Sequence, residues 1–233
     1  MGKRIIQQRR GKGTPSFRVR RKAFTNRIEY PTMEGRGKVI RLFSDAGHTS
    51  PLALIQVGNK FFKNVAVEGL EQGQEIEVGK LAPVRLGNII PLSSVPIGTN
   101  VCSIEIVPYS GGKLVRASGI SAVVTKKLPG RVALLLPSKK EKLFDERARA
   151  TIGIVAGGGR TEKPFVKAGR RWYHMKSRNK LYPRTSPINM NSVNHPFGGG
   201  RGKNIGKPSI APRNAPPGRK VGLLRPRKTG RGK

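Results

Sequence analysis

His195 is the residue of this chain best suited by type to do chemistry, and it lies in the run Asn-Ser-Val-Asn-His-Pro-Phe-Gly-Gly-Gly that begins at Asn191. A neutral imidazole can act as a base or as a hydrogen-bond partner near neutral pH. Catalysis would make His195 a base in group transfer, whereas a structural or ligand-contacting role needs only its hydrogen bonds. The sequence favours the structural or ligand-contacting role and leaves catalysis as the alternative.

Other motifs that would indicate an enzyme or a metalloprotein are missing from the sequence. The stretch 154–161 comes nearest to a phosphate-binding loop, but Ile154 stands where the first glycine is needed and Arg160 where the lysine is needed. No Gly-x-Ser-x-Gly nucleophile motif occurs. The three histidines lie far apart, without a Cys or His partner at zinc-ligand spacing. We therefore predict no enzyme activity, no metal site and no cofactor.

The net charge of the chain is +35, from 47 Lys and Arg against 12 Asp and Glu. A compact protein with that charge repels itself, so the charge indicates a polyanionic partner, and nucleic acid fits best. A membrane surface is the weaker alternative, because no apolar run approaches the roughly 18 residues that span a bilayer. Cys102 is the single cysteine, and no secretory signal follows the basic N-terminus. We predict a cytoplasmic protein.

The charge divides the chain into three zones, and these zones suggest where folded structure lies. Residues 1–40 hold 12 basic and 2 acidic side chains, residues 41–159 hold 15 and 9, and residues 160–233 hold 20 and 1. The last zone is crowded with Gly, Pro and Asn and cannot bury enough apolar surface to fold alone. A folded body is therefore expected in the middle zone.

The middle zone has the pattern of short β-strands, with apolar runs separated by turn residues. A helical period is absent, apart from the short stretch 139–147. Gly58 and Asn59 separate two runs and predict a tight hairpin. About nine short strands suit two small barrels better than one large sandwich, with a seam near residue 82. The predicted strands are 37–43, 52–57, 61–67, 75–78, 101–107, 114–118, 121–125, 131–136 and 151–155.

The C-terminal zone is predicted to thread into RNA. Its glycines let the backbone approach phosphates closely and adopt positive φ angles. Aromatic side chains stand among its arginines, and their faces suit unstacked bases. A flexible linker is the alternative for such a Gly-rich tail. The aromatic residues are Trp172, Tyr173, Tyr182 and Phe197.

Four motifs resemble those of the universal large-subunit ribosomal protein L-two family, in the family's order and over nearly the whole chain. The signature comprises Met190 and Asn191, then His195, Pro196 and 198–200. Residues 111–119 match a Gly-Gly-x-Leu-x-Arg-x-x-Gly segment, and 168–172 resemble an Ala-Gly-Arg stretch. The terminal run of the family is matched by 220–223 and 227–231.

The resemblance implies an all-β fold of two small barrels, the first of the oligonucleotide-binding type and the second SH3-like, with long basic extensions at both ends. With the composition, it predicts an N-terminal extension at 1–36, barrels at 37–82 and 83–160, and an RNA-embedded tail at 161–233. It also implies direct binding to large-subunit rRNA near the peptidyl transferase centre, whose catalyst is RNA. Subunit assembly, subunit association and tRNA binding are the implied roles.

Two departures from bacterial members of the family are visible. The N-terminal extension is short, which resembles archaeal or eukaryotic members. Phe197 stands where bacterial members have a second histidine, so a role that needs two imidazoles is not expected here. The implied partners are large-subunit rRNA, other ribosomal proteins and small-subunit rRNA at a contact between the subunits, with no membrane and no small-molecule substrate.

The residues predicted to contact RNA share a mechanism in three parts. Cations neutralise phosphates, glycines let the main chain close on the RNA backbone, and aromatic or amide side chains touch bases exposed in junctions. A compaction protein that binds duplex DNA equally well is a further alternative. The predicted residues are Lys113, Arg116, Arg170, Arg171, Trp172, Arg184, Asn191, His195, Phe197, Gly198, Gly199, Gly200 and Arg201.

Overall fold

The computed structural model describes every residue except 1, 20, 22, 24, 203, 225 and 227–233. The family motif predicted at 227–231 therefore lies outside the described residues. β-strands dominate, which confirms the predicted all-β class. The strands are β1 (Gly35–Phe43), β2 (Leu52–Val57), β3 (Lys60–Val65), β4 (Glu75–Val78), β5 (Ile89–Pro91), β6 (Asn100–Cys102), β7 (Ala122–Leu128), β8 (Arg131–Leu135), β9 (Glu141–Asp145) and β10 (Arg149–Ile152).

The described helices are short and lie mostly outside the strand-bearing part of the chain. The α-helices are α1 (Ile6–Gly11) and α2 (Ala168–Ser177). Single 3₁₀ turns occur at Pro15–Phe17, Leu92–Ser94, Gly158–Thr161 and Pro187–Asn189. The turn at Gly158–Thr161 includes the last two residues of the glycine run 157–159.

The chain forms two compact units. The sheet unit comprises residues 21–167 and holds all ten strands. The extension unit comprises residues 1–20 together with 168–233 and holds α1 and α2. The two basic ends of the chain, which are remote in sequence, therefore fold into one unit.

The strands of the sheet unit form one hydrogen-bonded sheet in the order β3-β2-β1-β4-β5-β10-β6-β7-β8-β9. Neighbours are antiparallel except β4 and β5, which are parallel and pair through Val78 and Ile89. The pairing of β1 with β2 shifts register between Val39 and Arg41. Such a bulge bends and twists a strand locally, which allows a sheet of this length to curl.

The predicted hairpin at Gly58 and Asn59 is confirmed. β2 and β3 pair without a register shift from Leu52 opposite Val65 to Val57 opposite Lys60. Gly58 has a φ of +55°, a conformation that a glycine adopts without steric cost and that tight hairpin turns require. The sequence therefore fixes both the turn and the register of this pair.

The apolar core is a single cluster of buried side chains drawn from both ends of the sheet. Val39 and Ile55 come from the β1 and β2 side, and Leu134 and Phe144 from the β8 and β9 side. Each is at most 3% exposed. Burial of one side chain of this size contributes about 1.5–3 kcal/mol, so this core accounts for most of the stabilisation of the unit.

Two sequence predictions about the elements are wrong. The stretch 139–147, expected to be the one helical stretch, contains strand β9, because pairing with β8 outweighs the helix propensity of its Glu, Lys and Leu residues. Residues 114–118 form no strand beyond an isolated bridge from Leu114 to Ile104. Val115 has a φ of +56°, which is incompatible with an extended strand.

Candidate nucleic-acid interface

The first basic site is a cleft of about 780 Å³ in the sheet unit, between the segments 26–32 and 109–116. Lys113 and Arg116 both line it, as does His48. Lys113 is exposed, and Arg116 donates from Nη1 to the Gly112 carbonyl oxygen at 3.2 Å. Burial lowers the pKa of the Arg116 guanidinium. Cations along a cleft of this size suit the phosphates of a polynucleotide.

A buried ion pair fixes the loop that leads to Lys113. Arg149 Nη2 lies 2.9 Å from Glu105 Oε1, and the two side chains are 6% and 0% exposed. Glu105 also accepts the backbone N–H groups of Tyr109 and Gly111, at 3.1 and 3.0 Å. Because the carboxylate is shared between Arg149 and this loop, the loop is held in one position and Lys113 is directed into the cleft.

Tight packing at Gly112 completes this arrangement. A Cβ atom at Gly112 would overlap the side chain and the carbonyl of Ser103, so only glycine fits there. Tyr30 donates its hydroxyl to the Ser103 carbonyl oxygen at 2.5 Å, and burial raises the pKa of that hydroxyl. The Tyr30 and Tyr109 ring centroids lie 5.4 and 5.1 Å from Arg149 Cζ. Gly112 of the Gly-Gly motif therefore lets this segment pack closely against the backbone of Ser103, which fixes one side of the cleft.

Hydrogen bonds to the Asp45 carboxylate fix the part of the cleft around His48 and Asn26. The carboxylate lies 2.6 Å from His48 Nδ1 and accepts hydrogen bonds from Asn26 Nδ2 at 2.9 Å and the Gly47 N–H at 3.1 Å. Burial raises the pKa of Asp45, but the hydrogen bonds from His48 and Asn26 outweigh it, and the pKa lies below its usual range. An ionised Asp45 thus orients the His48 ring at the cleft.

The second basic site surrounds His195 in the extension unit. His195 is 5% exposed, and its Nδ1 accepts the Phe197 N–H at 3.0 Å. Burial lowers the pKa of the imidazole. The backbone closes tightly here, since the Gly199 N–H donates to the Met190 carbonyl oxygen at 2.9 Å, and a Cβ at Gly198 would overlap backbone carbonyls. The glycines thus allow the 190–199 loop to fold back on itself.

A cavity of about 490 Å³ brings His195 together with cations and amides. The backbone N–H of Lys3 donates to the Val193 carbonyl oxygen at 2.8 Å, which fastens the N-terminus to the His195 loop. The N-terminal arginines therefore reach the same cavity as the C-terminal residues. Its charged, amide and imidazole lining residues are Arg4, Gln7, Arg9, Arg184, Asn189, Asn191, Asn194 and His195.

Helix α2 carries the remaining predicted aromatic and basic residues. Arg170 and Arg171 are exposed, and Arg171 Cζ lies 5.2 Å from the Tyr182 ring centroid. Trp172 has Lys176 Nζ 4.4 Å from its ring centroid and meets the Tyr173 ring edge to face at 4.9 Å. Acidic residues are absent from α2, so its side chains form a basic surface with aromatic rings.

The structure groups the predicted RNA contacts into three places. Lys113 and Arg116 line the cleft of the sheet unit, Arg184, Asn191 and His195 line one cavity of the extension unit, and Trp172 lines another. Arg170, Arg171 and Arg201 are exposed outside these cavities. Sequence reasoning missed the N-terminal partners, because no motif spacing links residues 4–18 to residues 172–195. It also missed His48 and Tyr109 in the cleft.

No group of three or more His, Cys, Asp or Glu side chains among the described residues could hold a metal ion. None of the described helices is long and apolar enough to cross a membrane.

The extension unit, rich in Lys, Arg and Gly and without Asp or Glu, has the electrostatic character of a nucleic-acid-binding protein. Comparison with known proteins narrows this class. Residues 85–215 match the profile of the family described as Ribosomal Proteins L2, C-terminal domain. The chain therefore belongs to the ribosomal protein L2 family.

Full-length relatives agree with the profile. The chain is 46% identical over 238 residues to the large ribosomal subunit protein uL2 of Korarchaeum cryptofilum, covering 100% of this chain and 97% of the relative. It is 45% identical over 235 residues to the protein of the same name from Archaeoglobus fulgidus, covering 99% of each. It is 42% identical over 236 residues to the protein of that name from Methanococcoides burtonii, covering 99% of this chain and 100% of the relative.

Membership of this family confirms the resemblance seen in the sequence, including its archaeal or eukaryotic character. It also confirms that the chain is a ribosomal protein rather than an enzyme and that it is located in the ribosome of the cytoplasm.

Proposed function

We propose that this chain binds large-subunit rRNA directly, as a structural component of the large ribosomal subunit. The observation that carries the proposal is the composition of the extension unit, which holds 24 Lys and Arg and no Asp or Glu. A unit without internal counter-charges must be neutralised from outside, and rRNA is the polyanion of a ribosome. The name shared by the three relatives, large ribosomal subunit protein, supports the choice of subunit.

In the extension unit, cations contact phosphates and the His195 loop contacts bases. Arg170, Arg171, Arg184 and Arg201 are exposed and free to approach the RNA backbone. The glycines 198–200 present a main chain without side chains, so the RNA backbone can approach this segment closely. Asn191, His195 and Phe197 supply amide, imidazole and aromatic surfaces for unpaired bases.

The cleft of the sheet unit provides a separate contact. Lys113 and Arg116 neutralise phosphates there, while the buried pair of Glu105 and Arg149 maintains their positions. The cleft adds specificity because a rigid arrangement of cations fits one folded shape of RNA, whereas flexible cations bind any polyanion.

The sheet unit is built from two barrels, the first of the oligonucleotide-binding type at 37–82 and the second SH3-like at 83–160, between a basic extension at 1–36 and an RNA-embedded tail at 161–233. The strand order supports this division, because β1–β4 are neighbours, β5–β10 are neighbours, and β4 and β5 are joined by the single pair of Val78 and Ile89.

The wider roles follow from binding to large-subunit rRNA. The chain supports assembly of the large subunit, association of the subunits, tRNA binding and the region of the peptidyl transferase centre. Its partners are large-subunit rRNA, other ribosomal proteins and small-subunit rRNA at a contact between subunits. Family membership supports these roles, and His195 assists them by positioning RNA.

Competitive binding tests the proposal. The full chain is bound to cognate large-subunit rRNA fragments, with excess duplex DNA or unrelated structured RNA as competitor, over a series of salt concentrations. We expect a steep salt dependence for every nucleic acid, because counterions are released from each neutralised phosphate. Preference for the rRNA fragments at high salt supports the proposal. An equal loss of binding to all the nucleic acids as the salt concentration rises would overturn it.

A further inference from the structure

We propose that the extension unit contains a pocket for one unpaired nucleotide of rRNA, formed by an N-terminal segment and the turn that follows α2. The pocket has a volume of about 550 Å³, which lies in the range of sites for small ligands. Residues 10–18 contribute one side and residues 172–182 the other. The inference rests on the proposed rRNA binding and adds one defined contact to it.

Three aromatic rings line the pocket, and a stacked base needs such flat apolar surfaces. Phe17 comes from the N-terminal side, and Trp172 and Tyr182 from the α2 side. Trp172 is 36% exposed, so part of its indole is accessible rather than packed in a core. Stacking on aromatic side chains is the main way in which proteins hold single bases of RNA.

Four cations line the same pocket, and the lining holds no carboxylate among the described residues. They are Arg10, Arg18, Lys176 and Lys180. Lys176 Nζ lies 4.4 Å from the Trp172 ring centroid, and Arg18 Nε donates to the Gly13 carbonyl oxygen at 2.5 Å. A base that stacks on Trp172 therefore brings its phosphate beside fixed positive charges.

Hydrogen bonds fix the shape of the pocket. Lys180 N–H donates to the Met175 carbonyl oxygen at 2.8 Å, Asn179 N–H donates to that of Lys176 at 3.2 Å, and Asn179 has a φ of +51°. This pattern is a Schellman motif, in which asparagine takes the left-handed position that ends a helix. Arg10 Nη2 lies 3.5 Å from the Asn179 carbonyl oxygen and links the two sides.

Asn179 also lines the pocket, and its side chain ends in an amide. An amide offers one donor and one acceptor side by side, which matches the hydrogen-bonding edge of a base. Aromatic rings, surrounding cations and an amide residue together fit a nucleotide. A base inside a duplex is already stacked and paired and cannot enter, so the occupant is unpaired.

Cross-linking tests the pocket in the complex of the full chain with its cognate large-subunit rRNA. Ultraviolet light joins stacked aromatic residues to bases, and mass spectrometry of the products identifies both. We expect one nucleotide to be cross-linked to the aromatic residues of the pocket. In Trp172→Ala that cross-link is lost, the base becomes reactive to base-specific chemical probes, and affinity for rRNA falls roughly 5- to 150-fold.

Ser177→Ala is the control, because Ser177 lies on α2 but does not line the pocket, and its hydroxyl donates within the helix to the His174 carbonyl oxygen. It should keep the cross-link and the protection of the base. Trp172→Phe should restore protection, since a ring is still present, and Phe17→Ala should reproduce the loss from the opposite side. This set separates loss of stacking from damage to α2.

Failure of the pocket inference can be distinguished from failure of the proposed rRNA binding. If the wild-type chain prefers rRNA but Trp172→Ala and Phe17→Ala keep the same protection and affinity, the pocket inference is overturned while rRNA binding stands. Cross-links from the pocket to another ribosomal protein, or saturation of the pocket by free AMP with no nucleotide of rRNA cross-linked, would also overturn it. A wild-type chain without preference for rRNA overturns the proposed function itself.

Discussion

Nδ1 of His195 is hydrogen-bonded within the protein, whereas Nε2 has no such bond among the described residues. Its Nδ1 accepts the Phe197 N–H at 3.0 Å, so Nδ1 is unprotonated and the neutral ring carries its proton on Nε2. The available nitrogen is therefore a hydrogen-bond donor rather than a base. This geometry suits recognition of an RNA acceptor and explains, at the scale of one residue, why a conspicuous histidine does not indicate catalysis.

The same bond predicts how His195 responds to pH. We expect its pKa to lie below the usual 6.5, because burial disfavours the charged ring and a proton on Nδ1 would break the bond from Phe197. The unfolded chain then takes up its proton before the folded chain does. The His195 contribution to the free energy of unfolding is therefore constant above about pH 6.5 and falls as the pH drops below it. NMR titration of the imidazole checks this, and a pKa at or above 6.5 would contradict it.

Replacement of His195 separates positioning from chemistry. In reconstituted large subunits, His195→Ala should reduce assembly or tRNA binding, because the Nε2 donor is lost. Particles that do assemble should keep near-normal peptide transfer. Single-turnover peptide transfer, measured on fully assembled particles, checks this, and a loss of several orders of magnitude in the chemical step would contradict a positioning role.

Arg116 provides a prediction for the cleft. Arg116→Ala should weaken rRNA binding and lower the slope of log affinity against log salt concentration by about 1, because one phosphate contact is lost. Arg85→Ala is the matched control, since Arg85 is an exposed cation of the same sheet unit that does not line the cleft. Its slope should stay at the wild-type value, and equal slopes for the two variants would exclude a phosphate contact by Arg116.

At the scale of elements, the buried pair of Glu105 and Arg149 ties strand β10 to the loop before Lys113. Glu105→Ala should lower the free energy of unfolding by about 3–5 kcal/mol, because it leaves Arg149 buried without a counter-charge. Urea unfolding of the full chain measures this. A decrease of less than about 1 kcal/mol in the free energy of unfolding would mean that the pair is accessible to solvent.

A double variant distinguishes stability from positioning. Glu105→Leu combined with Arg149→Met should recover part of the lost stability, since apolar residues remove the uncompensated buried charge but accept no hydrogen bonds. It should still bind rRNA more weakly, because the N–H groups of Tyr109 and Gly111 lose their acceptor. Wild-type rRNA affinity in this double variant would show that the pair does not position the cleft.

An element can be predicted from the sequence when residues close to it in the chain determine its conformation. The β2–β3 hairpin follows from Gly58 and two flanking apolar runs, all within a few residues. β9 and the region around Val115 were mispredicted because strand pairing and a backbone φ of +56° are set by the rest of the fold. In the site, motifs identified His195 and Arg116, but the pairing of residues 10–18 with 172–182 arises from folding across the whole chain and leaves no local pattern.

At the scale of the whole molecule, the two units differ in how much apolar surface they bury. Among the described residues, Ile5 is the one buried apolar side chain of the extension unit, whereas the sheet unit has a continuous core. We expect backbone amides of the extension unit to exchange hydrogen much faster than the strands in the free chain, and to become protected when rRNA binds. Hydrogen exchange with mass spectrometry, without and with the rRNA fragment, measures this. Equal protection of both units in the free chain would contradict it.

The uneven placement of acidic residues also affects how the chain meets its partner. All 12 Asp and Glu lie within residues 21–167, so the extension unit attracts a polyanion more strongly per residue than the sheet unit does. Electrostatic attraction acts over about 10 Å at moderate salt and raises association rates before any contact forms. The extension unit should therefore capture RNA first and bring it to the rigid cleft afterwards, which makes the unit that buries less apolar surface the one that controls the speed of recognition.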